Sequence, residues 1–144
     1  MNNSGYNAYR HSAGNAVLSK DQILIRLYKG MIKFVSLAKR GIEMKSPKVR
    51  GENISKTMAI LTELECALDK EAGGELSETL SDLYRYMISR LTVANMENDL
   101  EAIDEVEKII TELSDGFSGA ALENRKKQSA KSSEEEKKGL SFAV

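Results

Sequence analysis

The side chains that most often carry out catalysis or bind metals are scarce in this sequence. The 144 residues contain one histidine, His11, and one cysteine, Cys66. A nucleophilic thiol needs a base beside it, and a structural zinc site needs about four ligands. His11 lies in a polar N-terminal segment, whereas Cys66 lies in an apolar periodic stretch and is interpreted as a small core or boundary residue. We therefore expect neither a thiol active site nor a metal site.

Phosphate-binding and carboxylate chemistry are disfavoured as well. The pair Gly73-Gly74 lacks the lysine and the preceding strand of a phosphate-binding loop. Carboxylates are numerous, but a di-iron site in a helical bundle needs Glu-x-x-His motifs, and the sequence contains none. The sequence thus predicts no catalytic residue, no cofactor and no enzymatic activity.

Four segments with apolar residues at helical spacing make up most of the chain. The first is predicted to begin at Ser19, which can form a capping box with Gln22. A break at 44–52 separates it from a second helix over 53–71, and Gly73-Gly74 is predicted to end that second helix. Since proline interrupts helices and the chain has only one, long uninterrupted helices are expected.

The second half of the chain predicts two further helices. The third covers 75–96, and its inner stripe includes Leu76 and Tyr84. Tyr86 is two residues from Tyr84, about 200° around a helix, so at least one of the two tyrosines must lie outside the core. The fourth helix is capped by Asn98 or Asp99 and runs to about Leu113 or a little beyond, and the apolar periodicity fails from about Ser118.

The first helix is apolar over more than one stripe. Ile23, Ile32, Phe34 and Leu37 lie outside the main line of apolar residues. Such a helix either sits deep in the core or offers a second face to a partner.

The predicted architecture is all-α, an antiparallel up-down four-helix bundle, because short connections place successive helices side by side. We divide the chain into an N-terminal leader at 1–18, the bundle at 19–117 and a charged tail at 118–144. The leader is expected to be partly ordered, since it contains two tyrosines. The Ser-rich, charged tail is expected to be disordered.

Charge is unevenly distributed along the chain. Residues 1–50 contain ten Lys/Arg and two Asp/Glu, whereas 51–118 contain five and sixteen. Packing between basic and acidic helices explains this more simply than a nucleic-acid surface, because the net charge is −1. The nucleic-acid alternative would use Lys20, Arg26, Lys29, Lys33, Lys39 and Arg40.

No apolar run is long enough to cross a membrane, so we expect a cytoplasmic protein without membrane insertion.

Five short motifs occur in order along residues 6–117. They are Asn7-Ala8-Tyr9, Leu27-Tyr28-Lys29-Gly30, Gly73-Gly74-Glu75-Leu76, Leu83-Tyr84-Arg85-Tyr86-Met87, and Ala94-Asn95 followed by Asp99 and a helix centred on Val106. As an ordered set they resemble the motifs of the flagellar secretion chaperone FliS family. Lys29 stands where the family commonly has aspartate, and Leu18-Ser19-Lys20 stands in place of its usual Ala-Ser-Pro.

The resemblance implies a function and a set of partners. It implies a cytoplasmic chaperone that binds the C-terminal segment of flagellin, prevents its premature polymerisation and assists its export through the flagellar type III apparatus. An export-gate component is a further expected partner, and the chain is expected to be a monomer or a weak homodimer. A self-associating adaptor bundle is the other alternative, beside nucleic-acid binding. The client-binding residues implied by the resemblance are Tyr9, Leu27, Tyr28, Met31, Leu64, Leu68, Leu83, Tyr86, Met87 and Arg90.

Overall fold

Four helices form a closed ring in the computed structural model, which describes residues 18–142 and the side chains of 18–139. They are α1 (Lys20–Glu43), α2 (Pro47–Ala67), α3 (Gly74–Glu97) and α4 (Leu100–Phe142). Each helix packs on the next, α4 packs on α1, and the backbones of the diagonal pairs do not approach one another. The predicted all-α four-helix bundle is confirmed.

The helix starts follow local capping chemistry. Ser19 and Gln22 form the predicted capping box, in which each side chain accepts a hydrogen bond from the other residue's backbone N–H. The second helix, however, begins at Pro47 and not near 53, with Ser46 as its N-cap. Proline fits the first helical position because its missing N–H would have no partner there. The break between α1 and α2 is therefore only three residues long, 44–46.

The connection between α2 and α3 also differs from the prediction. The helix α2 ends at Ala67, and Gly73 serves as the N-cap of α3, not as the end of α2. Asp69 shapes the turn by accepting hydrogen bonds from the backbone N–H groups of Glu71 and Ala72. This local side-chain bonding competes with helix continuation, which explains the early stop.

The last helix is longer than predicted. Asp99 caps it, as its side chain accepts the N–H of Ala102. The helix then passes Leu113 and continues to Phe142. Residues 118–139 contain no proline and many good helix formers, which explains the extension. Beyond Ala121 every described side chain is exposed, and only Asn124, Arg125 and Gln128 lie beside the start of α1, so little packing supports this extension. The division at 117/118 and the disorder of the tail stay predictions.

The core lies along the inner stripes of all four helices, and two exposed residues correct predictions made from the sequence. Leu76 is 65% exposed, although we placed it on the inner stripe of the third helix. It lies in the first turn of α3, where the adjacent Ser77, and not Leu76, takes the buried side of the helix. Cys66 is exposed as well, contrary to its interpretation as a core or boundary residue. The large side chains with less than 2% exposure include Tyr28, Met31, Ile54, Leu61, Met87, Leu91, Ile103 and Ile110.

Candidate functional site

A half-exposed apolar surface lies where α1 meets α2. Five residues of α1, each three or four positions from the next, share this side of the helix. Phe34 is one of them, and the Lys56 ammonium of α2 lies 5.4 Å from its ring centroid, so this side faces α2. Ile23 is 48% exposed and the others are half-buried. We call this surface the α1–α2 seam: Ile23, Leu27, Gly30, Phe34 and Leu37 of α1, with Lys56 and Ile60 of α2.

Gly30 leaves an opening at the middle of the α1–α2 seam. A Cβ atom built on Gly30 would meet no atom within 4 Å. Glycine in a helix interior lowers stability by up to about 1 kcal/mol relative to alanine. No close contact among the described residues requires glycine at position 30. Gly41 differs, since a Cβ there would lie 2.4 Å from the Arg50 backbone nitrogen. Gly41 is required for close helix packing, whereas Gly30 leaves room for a side chain from elsewhere.

A second half-exposed apolar surface lies where α3 meets α4. The Tyr86 hydroxyl donates a hydrogen bond to Glu105 of α4, and Arg90 bonds the same carboxylate at 3.0 Å. These contacts show which side of α3 faces α4. Residues at helical spacing from Tyr86 on α3 and from Glu105 on α4 share that side. We call this surface the α3–α4 seam: Leu76, Leu83 and Tyr86 of α3, with Ile109 and Gly116 of α4.

The α3–α4 seam is amphipathic. Tyr86 is 43% exposed, and its hydrogen bond to the Glu105 carboxylate raises the pKa of its phenol. Leu83 and Ile109 are half-buried. Like Gly30, Gly116 has open space where a Cβ would stand. The ring order of the helices places the two seams on opposite sides of the bundle.

Between the two seams, a buried aromatic cluster joins three helices. The hydroxyls of Tyr28 in α1 and Tyr84 in α3 share a hydrogen bond of 2.6 Å across the bundle. Their exposures are 0% and 2%, and burial raises the pKa of both phenols, because an ionised phenolate would lose its hydration. The Phe117 ring of α4 packs on Tyr28 with centroids 5.3 Å apart.

Ion pairs at the bundle surface reinforce the helix order. The Glu65 carboxylate of α2 bonds the Arg85 guanidinium of α3 at 2.5 Å, and this hydrogen bond lowers the pKa of Glu65. The Lys39 ammonium of α1 lies 2.6 Å from Asp104 of α4, which raises the pKa of Lys39. Of these two pairs, only Lys39–Asp104 joins the basic first helix to a later acidic one, as the charge distribution predicted. Exposed pairs of this kind contribute little free energy each.

The structure separates the predicted client-binding residues into two groups. Leu27, Leu68 and Leu83 are half-buried, Arg90 is partly exposed, and Tyr86 is exposed. Tyr9 lies outside the described residues. In the second group all exposures are 6% or less, so contact with a client would require the helices to separate. The buried residues are Tyr28, Met31, Leu64 and Met87.

Most of the α1–α2 seam is absent from that predicted set. Only Leu27 was included, although Phe34 and Leu37 already stood out as apolar residues beyond the main stripe. The sequence already indicates these residues, because they form a second apolar stripe beside the main apolar stripe of the first helix. The open position at Gly30 was not visible in the sequence, because it depends on how α2 lies against α1.

The described part of the chain has neither a cluster of side chains suited to a metal ion nor a helix suited to crossing a membrane. No group of three or more His, Cys, Asp or Glu side chains there converges on a metal position. None of the four helices, over the described residues, is long and apolar enough to cross a membrane. The fold and its surface define an antiparallel helical bundle whose notable exposed features are two apolar seams.

Comparisons with known proteins place this bundle in a family. The family described as "Flagellar protein FliS" matches residues 1–124. The flagellar secretion chaperone FliS of Salmonella typhimurium is 36% identical over 118 residues, which cover 79% of this chain and 87% of that protein. The FliS of Bacillus subtilis is 33% identical over 121 residues, which cover 84% and 89%. The chain belongs to the FliS family of flagellar secretion chaperones, as the motifs predicted.

A solved structure supports the fold independently. A protein described as a flagellar chaperone from bacteria superposes with a TM-score of 0.68, covering 83% of this chain and 98% of that one, at 20% identity. At this level of identity the likeness concerns the fold alone. The family match ends at residue 124, so the exposed part of α4 beyond it is outside the shared region.

Proposed function

We propose that this protein binds the C-terminal segment of flagellin, keeps it from polymerising prematurely and assists its export through the flagellar type III apparatus. The single observation that carries the proposal is the pair of apolar seams, which the bundle leaves half exposed on opposite sides. The relatives' name, flagellar secretion chaperone, supports a client that is secreted to the flagellum.

The seams suit a client that is amphipathic and unfolded before it binds. The apolar part of the α1–α2 seam runs from Ile23 to Leu37, about 21 Å at 1.5 Å per residue, which matches a client helix of about four turns. Helix-in-groove binding uses apolar anchors at three- and four-residue spacing, which is the spacing within the seam itself. A client that orders on binding loses chain entropy, so it needs a large contact area. Two seams provide more area than one.

Three helix-interior glycines allow a direct test of the proposed surfaces. Gly30 lies in the α1–α2 seam, Gly116 lies in the α3–α4 seam, and Gly139 lies on the exposed extension of α4. At all three, a Cβ would meet nothing within 4 Å, so leucine can be introduced without a clash at that atom. Replacing helical glycine also favours the fold by up to about 1 kcal/mol, so lost binding could not be attributed to unfolding.

The expected result is a separation of binding from stability. Gly30→Leu and Gly116→Leu should each weaken binding of the flagellin C-terminal segment about tenfold or more, while thermal stability is unchanged or higher. Gly139→Leu should leave binding unchanged. Fluorescence anisotropy with a labelled segment measures the affinities, and circular dichroism measures the melting. Full affinity in both seam variants would refute the proposed surfaces, and no binding by the unsubstituted chain would refute flagellin as the client.

A further inference from the structure

One edge of the α1–α2 seam is lined by cations that have no internal partner in the described structure. Arg26, Lys33 and Arg40 are spaced seven residues apart, and each follows a seam residue by three positions. At seven-residue spacing they form a line along α1 with about 10.5 Å between successive Cα atoms. All three side chains are exposed. We call this line the basic border.

The basic border is not explained by packing within the bundle. The three ion pairs found in the described residues join Lys39, Arg85 and Arg90 to carboxylates of other helices. None of them includes a residue of the basic border. Between Asp21 and Glu43, α1 contains no acidic residue, so its own turns do not neutralise the line either.

The opposite edge of the seam differs in charge. It lies on α2, where Lys56 covers Phe34. Glu52 precedes Lys56 by four residues and Glu63 follows Ile60 by three, and both carboxylates are exposed. This edge therefore alternates in sign, whereas the α1 edge is uniformly positive. A helix lying in the seam would meet two edges of different charge.

We propose that the α1–α2 seam selects an amphipathic helix with carboxylates along one edge of its apolar face, which the basic border binds and orients toward α1. The proposal rests on the proposed function only in that this helix belongs to the client. Charge complementarity along an edge fixes orientation and rejects like-charged partners more than it adds affinity. A nucleic acid fits the seam less well, because the border lies beside apolar side chains and Phe34, its one aromatic residue, is covered by Lys56.

Two synthetic helical peptides test the preference on the full chain. Each peptide has about 15 residues, and both have the same leucine face. They differ at three positions, spaced seven residues apart beside that face. These positions carry Glu in one peptide and Lys in the other. Fluorescence anisotropy at low and high salt measures both affinities. We expect the Glu peptide to bind about tenfold more tightly at low salt, and the ratio to shrink at high salt, because exposed charges are screened.

Variants of the chain assign the preference to the basic border. The double reversal Arg26→Glu with Lys33→Glu should abolish or invert the preference. The matched reversal Lys127→Glu with Lys131→Glu, on the exposed extension of α4, has the same change in net charge and should retain it. Arg26→Gln with Lys33→Gln provides a milder second variant, which should reduce the ratio if the reversal impairs folding.

Several outcomes would overturn the inference. These are equal affinity for the two peptides, binding of neither up to millimolar concentration, or a preference that survives the substitutions at Arg26 and Lys33. Tighter binding of a 20-nucleotide single strand that is lost in the same variants would assign the border to nucleic acid instead. Because the peptides are not flagellin, a failed peptide preference with intact flagellin binding refutes this inference alone. Retained preference without flagellin binding refutes the proposed client alone.

Discussion

The hydrogen bond between the buried hydroxyls of Tyr28 and Tyr84 gives the sharpest prediction about what stabilises the bundle. The two side chains join diagonal helices whose backbones do not approach each other. Replacing either tyrosine by phenylalanine removes one oxygen and leaves the other buried hydroxyl without a partner. An unsatisfied buried hydroxyl costs about 1–3 kcal/mol, so each single variant should lose that much unfolding free energy.

The double variant should be more stable than the two single losses imply. With both hydroxyls absent, no polar group remains unsatisfied, and the expected loss falls to about 0–1 kcal/mol. The midpoints of these ranges give a coupling energy of about 3.5 kcal/mol for the cycle, well above the few tenths expected of independent sites. Urea unfolding followed by circular dichroism at 222 nm measures all four proteins, provided that the slope with urea stays constant.

A matched substitution at the surface controls for the loss of a tyrosine hydroxyl as such. Tyr86→Phe removes a hydroxyl that bonds Glu105 at an exposed position, and its cost should stay within about 0.5 kcal/mol. If the double variant of Tyr28 and Tyr84 lost the full sum of its single losses, the reasoning would be wrong. Each hydroxyl would then have an independent partner, such as water entering between the helices.

Three further predictions concern pH, packing and the extension of α4. Glu65→Gln should lower the free energy of unfolding at pH 7, and the variant and the unsubstituted protein should become equally stable in acid. The reason is that Arg85 lowers the pKa of Glu65 in the folded state. The ionised Glu65 therefore stabilises the fold above the unfolded carboxyl pKa of about 4.3, and this stabilisation is lost as the pH falls through the lowered pKa. Urea midpoints at pH 7 and pH 3 measure this, and an equal difference at both would contradict it. Leu91→Ala should lower the free energy of unfolding by about 2–5 kcal/mol, because Leu91 is fully buried. Leu76→Ala should lower it by under about 1 kcal/mol, because Leu76 is exposed. Similar losses in the two variants would contradict the assigned core. Amides of 129–139 should show almost no hydrogen-exchange protection, because an exposed helix without tertiary packing is marginal in water. Protection equal to that of α3 would mean that something covers the extension.

Features that depend on neighbouring residues in the sequence were predictable. The capping box of Ser19 and Gln22 needs only residues three apart, and the apolar spacing of the four segments was sufficient for the bundle. The start of α2 differs from the prediction because Pro47, which the sequence pattern places in a break, is also favoured at the first helical position. The length of α4 differs because its apolar stripe ends long before its helix-forming residues do.

Features that depend on tertiary packing were not predictable from spacing. Tyr28 and Met87 were predicted to bind a client through the family motifs, yet the structure buries both in the core. The hydroxyl of Tyr28 is satisfied by Tyr84, 56 positions away, and no local pattern indicates that pairing. The opening at Gly30 likewise depends on how α2 lies against α1. Family motifs thus mark residues that build the bundle as well as residues that remain accessible on it.

Calorimetric titration of the full chain with the C-terminal segment of flagellin, repeated at several temperatures, decides whether the two seams bind flagellin. Binding through the two apolar seams predicts one segment per chain and a negative heat-capacity change, because apolar surface leaves water and the client orders on the bundle. Binding without a heat-capacity change, or no binding, would contradict the claim that these seams hold the client.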